Sequence, residues 1–289
     1  MTTLDTRARI SFANILVPTD FSRSSHAALL YALSIAKKYG SKLFVTHVMP
    51  YPLPEPRGSW DVTVERAEGS AQKAMADFVA QADGAPREIL LRWGDVWTAL
   101  SDIIEAHQID LVVTGTHGHS GLAKLVLGSV AEQIFRQAPC PVLTVGPHVS
   151  KAPTSIAAID GILYATDFTP ESLAALPYAI SLAEENQAQL SLMHVVEDRK
   201  ENLSADLFAH RLFDLVPYRV GLLCRPTAFV KYGPAVERIL DGERERGADL
   251  IVLGVKRIDR FPAASTHSPW PKAQRIVAQA HCPLLSVRG

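Results

Sequence analysis

Gly115, Gly118, Gly121 and Gly128 all fall inside the stretch TGTHGHSGLAKLVLGS that begins at Thr114. A side chain keeps an anion away from main-chain N–H groups, so glycines at this density let backbone amides approach a phosphate closely. Gly128-Ser129 stands directly before VAEQIFRQA, which reads as a helix. The first amides of a helix have no intrahelical partner, and the helix dipole favours negative charge there. Ser129 adds a hydroxyl donor. The chemistry that these parts can do together is to wrap a di- or triphosphate. A glycine can also serve only a tight turn or a close packing contact. The stretch is neither the GxxxxGK[ST] of a P-loop nor GxGxxG, and Lys124 is not where a P-loop lysine would stand.

Such a loop needs a scaffold to aim it. IDLVV before it is a short apolar strand, so the loop joins a strand to a helix. In a doubly wound sheet, ligands bind outside the carboxyl ends of the strands. Asp20 follows ILVPT, so it emerges at the carboxyl end of the first strand, close to Gly115 if the first and fourth strands are neighbours. Its carboxylate could accept hydrogen bonds from a sugar or base, or help hold a magnesium ion beside phosphates.

The remaining elements alternate. ILVP, KLFVTHV, REILLRW, DLVVTG and PVLTV read as strands; between them, residues 24–40, 60–83 and 97–108 read as helices. Ser22 can cap the first of these and Gly40 can end it. Strands alternating with helices imply parallel sheets covered on both faces.

The chain then repeats itself. Thr19, Asp20 and Phe21 match Thr166, Asp167 and Phe168; Tyr31 matches Tyr178 and His47 matches His194, without a gap. IDLVVTG matches ADLIVLG, and APCPVLTV matches AHCPLLSV, in the same order. This is a duplicated unit of roughly 140 residues. We expect an α/β protein of two tandem doubly wound, Rossmann-like domains, residues 1–149 and 150–289, each a five-stranded parallel sheet sandwiched by helices. In the second copy Thr169-Pro170-Glu171 marks a helix start, with a cap followed by proline.

The arrangement Gly115-x2-Gly118-x9-Gly128-Ser129 resembles the G-x2-G-x9-G-[S/T] motif of the universal stress protein family. ILVPTDFS and GSVAEQIFRQAPCPVLTV are similar to that family as well, and the likeness covers nearly the whole chain as two copies. The resemblance implies ATP, with magnesium, as cofactor. It implies that the loop and helix start hold phosphates and ribose, that Asp20 faces the nucleotide, and that backbone around Val48 contacts adenine. Pro18, Thr19, Thr114, His117 and Val130 flank the same place by position. It also implies pairing through the last strand of each domain, here PVLTVG with PLLSVR, which would make an internal pseudo-dimer. A homodimer of whole chains and a further protein partner are compatible with it.

The second copy departs from the motif. Gly254 aligns with Gly115, but no glycine follows in the loop, and Trp270-Pro271 stands where Gly128-Ser129 stands. An indole there would obstruct a phosphate, and proline removes one amide donor. One nucleotide site per chain is therefore expected, in the first half, with the second half as scaffold or regulatory partner. Lys256, Arg257 and Arg260 could attract an anion, but read first as a solvated basic loop.

The bulk numbers exclude other classes. With 47% hydrophobic and 20% charged residues, a packed core is within reach and wholesale disorder is not expected. A net charge of −1 gives no support to a general nucleic-acid binder. No run reaches the roughly 18 apolar residues of a membrane span, and MTTLDTRARISFAN lacks a signal-peptide core, so a cytoplasmic location is expected. Cys140, Cys224 and Cys282 form no CxxC pair, and His117 with His119 has no third ligand at a recognisable spacing, so neither a disulfide framework nor a zinc site is expected. No GxSxG elbow supports a hydrolase. A regulatory nucleotide-binding protein is the leading reading. A slow ATPase or phosphate-transferring enzyme lacks an obvious base or cationic finger. A nucleotide-free scaffold is at odds with the intact glycines.

Overall fold

The structure, a computed structural model, describes residues 10–51, 60–80, 85–116, 127–149, 159–197, 205–217, 226–256 and 270–289; the side chains of residues 60–62, 270 and 271 lie outside it. The first half runs β1 (Asn14–Pro18), α1 (Arg23–Tyr39), β2 (Lys42–Met49), α2 (Trp60–Val79), β3 (Arg87–Trp93), α3 (Val96–Ala106), β4 (Leu111–Gly115), α4 (Ser129–Gln137) and β5 (Val142–Val145). The second half runs β6 (Gly161–Ala165), α5 (Pro170–Leu173), α6 (Leu176–Asn186), β7 (Gln189–Val196), α7 (Ala205–Asp214), β8 (Thr227–Tyr232), α8 (Ala235–Arg246), β9 (Leu250–Val255), α9 (Trp270–Gln279) and β10 (Leu284–Arg288).

The ends of the helices follow from local chemistry. The Ser22 side chain accepts from the Ser25 amide to start α1, and Gly40, at φ 68°, stops it in the left-handed conformation that costs glycine little. Asp95 caps α3 through the Thr98 amide, at 2.9 Å. The second copy of the first helix differs from the first copy. It is broken into α5 and α6 around Ala174 and Ala175. Pro177 supplies the reason: it has no N–H to donate to the Leu173 carbonyl four residues back.

Ten strands form a sheet in the order β3-β2-β1-β4-β5-β10-β9-β6-β7-β8. Within each half every strand pair is parallel, and β1 lies between β2 and β4. The two parallel sets meet where β5 pairs antiparallel with β10, Leu143 opposite Leu285. The last strands of the two halves thus cover each other's edge, which would otherwise expose unpaired main-chain groups.

Side chains along β1 alternate between faces. Ile15 and Val17 join a core with α1, α2, α6 and α7 that runs through both halves; Leu16 points into a second core with α3 and α4. A third core packs α8 and α9 of the second half and includes Ala131 and Phe135 of α4. Each fully buried Leu, Ile or Val contributes about 1.5–3 kcal/mol relative to exposure. The join is also reciprocal. Burial raises the Tyr31 hydroxyl to about 12, with Asp249 of the second half adding to the shift, and burial raises Tyr178 likewise, with Asp110 of the first half adding to it. Polar contacts across the join include Lys38 Nζ to the Glu185 carbonyl at 3.0 Å and Arg288 Nη2 to the Phe135 carbonyl at 2.9 Å.

Candidate functional site

At the carboxyl ends of β1, β2 and β4 the chain turns sharply, and the turn begins with strain. Phe21 sits at φ 64°, a left-handed conformation that costs a non-glycine residue roughly 1–2 kcal/mol. Several contacts hold it. The Phe21 amide donates to Thr19 Oγ1 at 2.9 Å, and the ring lies 4.4 Å from that of His47. His47 Nδ1 is 2.8 Å from the Thr19 carbonyl. A carbonyl only accepts, so Nδ1 carries the proton. Thr19 Oγ1 in turn donates to Ser25 Oγ at 3.0 Å.

The turn presents Asp20. Its Oδ1 accepts from the Ser22 amide at 3.0 Å. Burial pulls the carboxyl upward, but hydrogen bonds from the Ser22 side chain and amide and from Ser25 outweigh it, so the group is held below the ordinary carboxylate range and is ionised at neutral pH.

Beside it, Gly115 ends β4 in contact with α1. A Cβ on Gly115 would lie 2.1 Å from Ser24 Oγ and 2.5 Å from the Ser24 carbonyl oxygen. The absent side chain is thus demanded by helix packing. Ser24 Oγ accepts from the Thr116 amide at 2.8 Å, and the Thr116 carbonyl accepts from the Gly128 amide at 2.7 Å, which brings the start of α4 to the same place. Because the Gly128 amide is engaged, the donors left for an anion at this helix start are the next ones, Ser129, Val130 and Ala131. The first intrahelical bond is Glu132 N to the Gly128 carbonyl, at 2.8 Å.

These parts enclose a hollow of about 300 Å³. Of the residues singled out from the sequence, Pro18, Thr19, Asp20, Val48, Thr114, Gly115, Gly128, Ser129 and Val130 line it; His117 and Gly118 lie outside the described residues. Sequence reasoning missed Val96, Leu100, His47 and Thr46. Val96 and Leu100 stand on the first turns of α3 and, with Val48 and Val130, give the hollow an apolar side. The spacing of α3 was the available signal. His47 was visible as a repeated residue, matched by His194, but nothing local tied it to the turn. The site therefore has amides and a serine hydroxyl at one helix start, an ionised carboxylate at the next, and an aliphatic wall. That combination suits an anion joined to a flat apolar group.

Other chemistry recedes. Burial pushes the Cys140 thiol up to about 12 and raises Cys282 too, so neither is a ready nucleophile. Cys224 lies outside the described residues. Among the described residues no group of three or more His, Cys, Asp or Glu side chains could hold a metal ion, and no helix is long and apolar enough to cross a membrane.

The second half has its own hollow. The turn is the same: Phe168 at φ 63°, its amide donating to Thr166 Oγ1 at 2.9 Å, and His194 Nδ1 2.8 Å from the Thr166 carbonyl. A Cβ on Gly254 would lie 2.1 Å from the Glu171 carbonyl oxygen. α9 begins at Trp270, and the expected obstruction rests on side chains outside the described residues. The described residues nevertheless surround a hollow of about 370 Å³. Its rim is charged. Glu197 accepts from the Ala235 amide at 3.0 Å and pairs with Lys272, where the first half has Pro50 and Val130.

Known proteins give this geometry a family. The model of the universal stress protein family matches residues 11–146 and again 159–288. A universal stress protein of Methanocaldococcus jannaschii is 32% identical over 139 residues, covering 46% of this chain and 82% of that one. A crystal structure of a universal stress protein from Archaeoglobus fulgidus is 20% identical and superposes with a TM-score of 0.68 over 95% of this chain and 98% of that one, a likeness of fold. A universal stress protein crystallised in complex with cAMP is 26% identical over 47% of this chain and 98% of that one, with a TM-score of 0.35. The chain belongs to the universal stress protein family, with two copies of the family domain in tandem.

Proposed function

We propose that the chain is a nucleotide-responsive regulatory protein whose N-terminal domain, residues 1–149, holds one adenine nucleotide, ATP with magnesium, while residues 150–289 act as scaffold and internal dimer partner. The observation that carries the reading is the convergence of Asp20, the α4 amides and an aliphatic wall on one hollow. Ser129, Val130 and Ala131 donate main-chain N–H groups, and Ser129 its hydroxyl, to the phosphates. Asp20 is an anion and repels phosphate directly. Its place is against a sugar hydroxyl, or against a magnesium ion that phosphates and water also hold, since magnesium needs one or two protein carboxylates. Val48, Val96, Leu100 and Val130 cover the base. Bound nucleotide changes the surface that the mouth of the hollow offers to a partner protein. The nucleotide itself supplies the polyanion that these donors are spaced to meet.

Mass analysis of small molecules released from the purified chain, followed by calorimetric titration with ATP, tests the reading. One equivalent of ATP per chain, lost in Asp20→Ala, is the expected result. No binding to the intact chain overturns it. A phosphate-release assay on the same samples reports whether bound ATP is cleaved.

A further inference from the structure

The second hollow holds a different set of charges over a similar frame. Asp167 ends the β6 turn and Glu171 lies in α5, while Lys256 follows β9 and Lys272 sits in the first turn of α9; all four line the hollow. At the positions of Glu171, Lys256 and Lys272 the first half carries Ser24, His117 and Val130. Acids therefore come from the β6 side and bases from the β9 and α9 side. Beneath them Val195, Ile239, Leu253 and Ile276 make an aliphatic floor. A polyphosphate is poorly matched: Pro271 has no amide to donate, and Asp167, Glu171 and Glu197 put three carboxylates at the rim. The ligand that answers both signs at once carries an ammonium and a carboxylate on an apolar body.

We propose that the C-terminal hollow binds a free aliphatic α-amino acid, with its ammonium on Asp167 and Glu171, its carboxylate on Lys256 and Lys272, and its side chain against Ile239, Leu253 and Ile276. Lys272 now pairs with Glu197, but the two side chains are 50% and 46% exposed, so an incoming carboxylate can compete for the lysine. The inference stands apart from the nucleotide reading of the first hollow, since none of its residues line that hollow.

The test is calorimetric titration of the full chain with L-leucine, isopentylamine and 4-methylpentanoate. The amine lacks the carboxylate and the acid lacks the ammonium. Leucine saturates at one per chain, and each analogue binds at least about tenfold more weakly, the cost of one lost charge-assisted hydrogen bond. Lys256→Gln weakens leucine and leaves isopentylamine unchanged; Glu171→Gln weakens leucine and leaves 4-methylpentanoate unchanged. Saturating ATP does not displace leucine. No leucine binding up to about 10 mM, a weak limit for a small ligand, overturns the proposal. So do analogues equal to leucine, or displacement by ATP. The analogue comparison on the wild-type chain stands even if a variant fails to fold, and a failure of ATP to bind the first hollow leaves the leucine result readable.

Discussion

Gly115 and Gly254 stand at the same point in the two halves, and each is pressed against the backbone of the helix that follows the first strand of its half. Gly128-Ser129 and Trp270-Pro271 also stand at matching points, yet there the halves part. The duplication thus works as an internal control. What both copies keep, the strained Phe21 and Phe168, the His47 and His194 braces and the two glycines, belongs to the architecture of the turn. What only the first copy keeps, a small helix start with an apolar neighbour, is what the proposed nucleotide would use. Asp20 belongs to the first group by its turn contact, which Asp167 repeats with the Thr169 amide at 3.1 Å, and a ligand role comes to it only through the proposed function.

The largest expected effect comes from moving the second copy's helix start into the first. Gly128→Trp with Ser129→Pro removes two donors and fills the approach, and ATP affinity falls on the order of 100-fold. Stability changes little, because proline suits the first position of a helix. Titration and thermal unfolding of one sample check both halves of that statement, and unchanged affinity breaks the comparison. Next come Gly115→Ala and Gly254→Ala. Both crowd backbone, and each is expected to lose about 1–3 kcal/mol in urea unfolding. A loss at Gly115 alone would show that the contact is not shared.

Asp20→Ala and Asp167→Ala sharpen the comparison further. Each removes a side chain that accepts from a turn amide, so each costs about 1 kcal/mol, while only Asp20→Ala alters ATP binding. Both carboxyls are held below 3.8, burial being outweighed by hydrogen bonds from Ser22 and Ser25 at Asp20 and from Thr169 and Ser172 at Asp167. A depressed carboxyl stabilises the fold fully above its unfolded value, and that contribution is lost as the pH falls through the folded one. The gap between wild type and Asp20→Asn with Asp167→Asn, read by urea unfolding, is therefore expected to close below pH 3.8. The smallest effect belongs to Lys272→Gln, which breaks a half-exposed ion pair and is expected to cost less than about 1 kcal/mol.

Much of this was legible in the sequence because its causes are local. Apolar runs of strand length, a capping Ser22, a terminating Gly40 and the repeated Thr-Asp-Phe set the elements and their order. The reading of the second copy as a repeat of the first missed the break between α5 and α6, although Pro177 was there to read; its missing amide matters only once the helix is known to pass through it. A close packing contact was one role open to these glycines, but the partner at Gly115 was not legible, because Ser24 is distant in the chain. The motif reading gave that glycine to a phosphate, while the contact shows a helix claiming it first. The second hollow was hidden for the opposite reason. Trp270 and Pro271 argued for a filled space, and the rim built by Glu197 and Lys272 joins residues far apart in the chain.

Strand direction reverses where β5 meets β10. Since each hollow opens at the carboxyl ends of its own strands, the two mouths look out from opposite ends of the sheet. In a symmetric pair of separate subunits, any substitution would strike both mouths together. Here the symmetry is held inside one polypeptide, so each mouth can drift on its own while the seam between them is preserved.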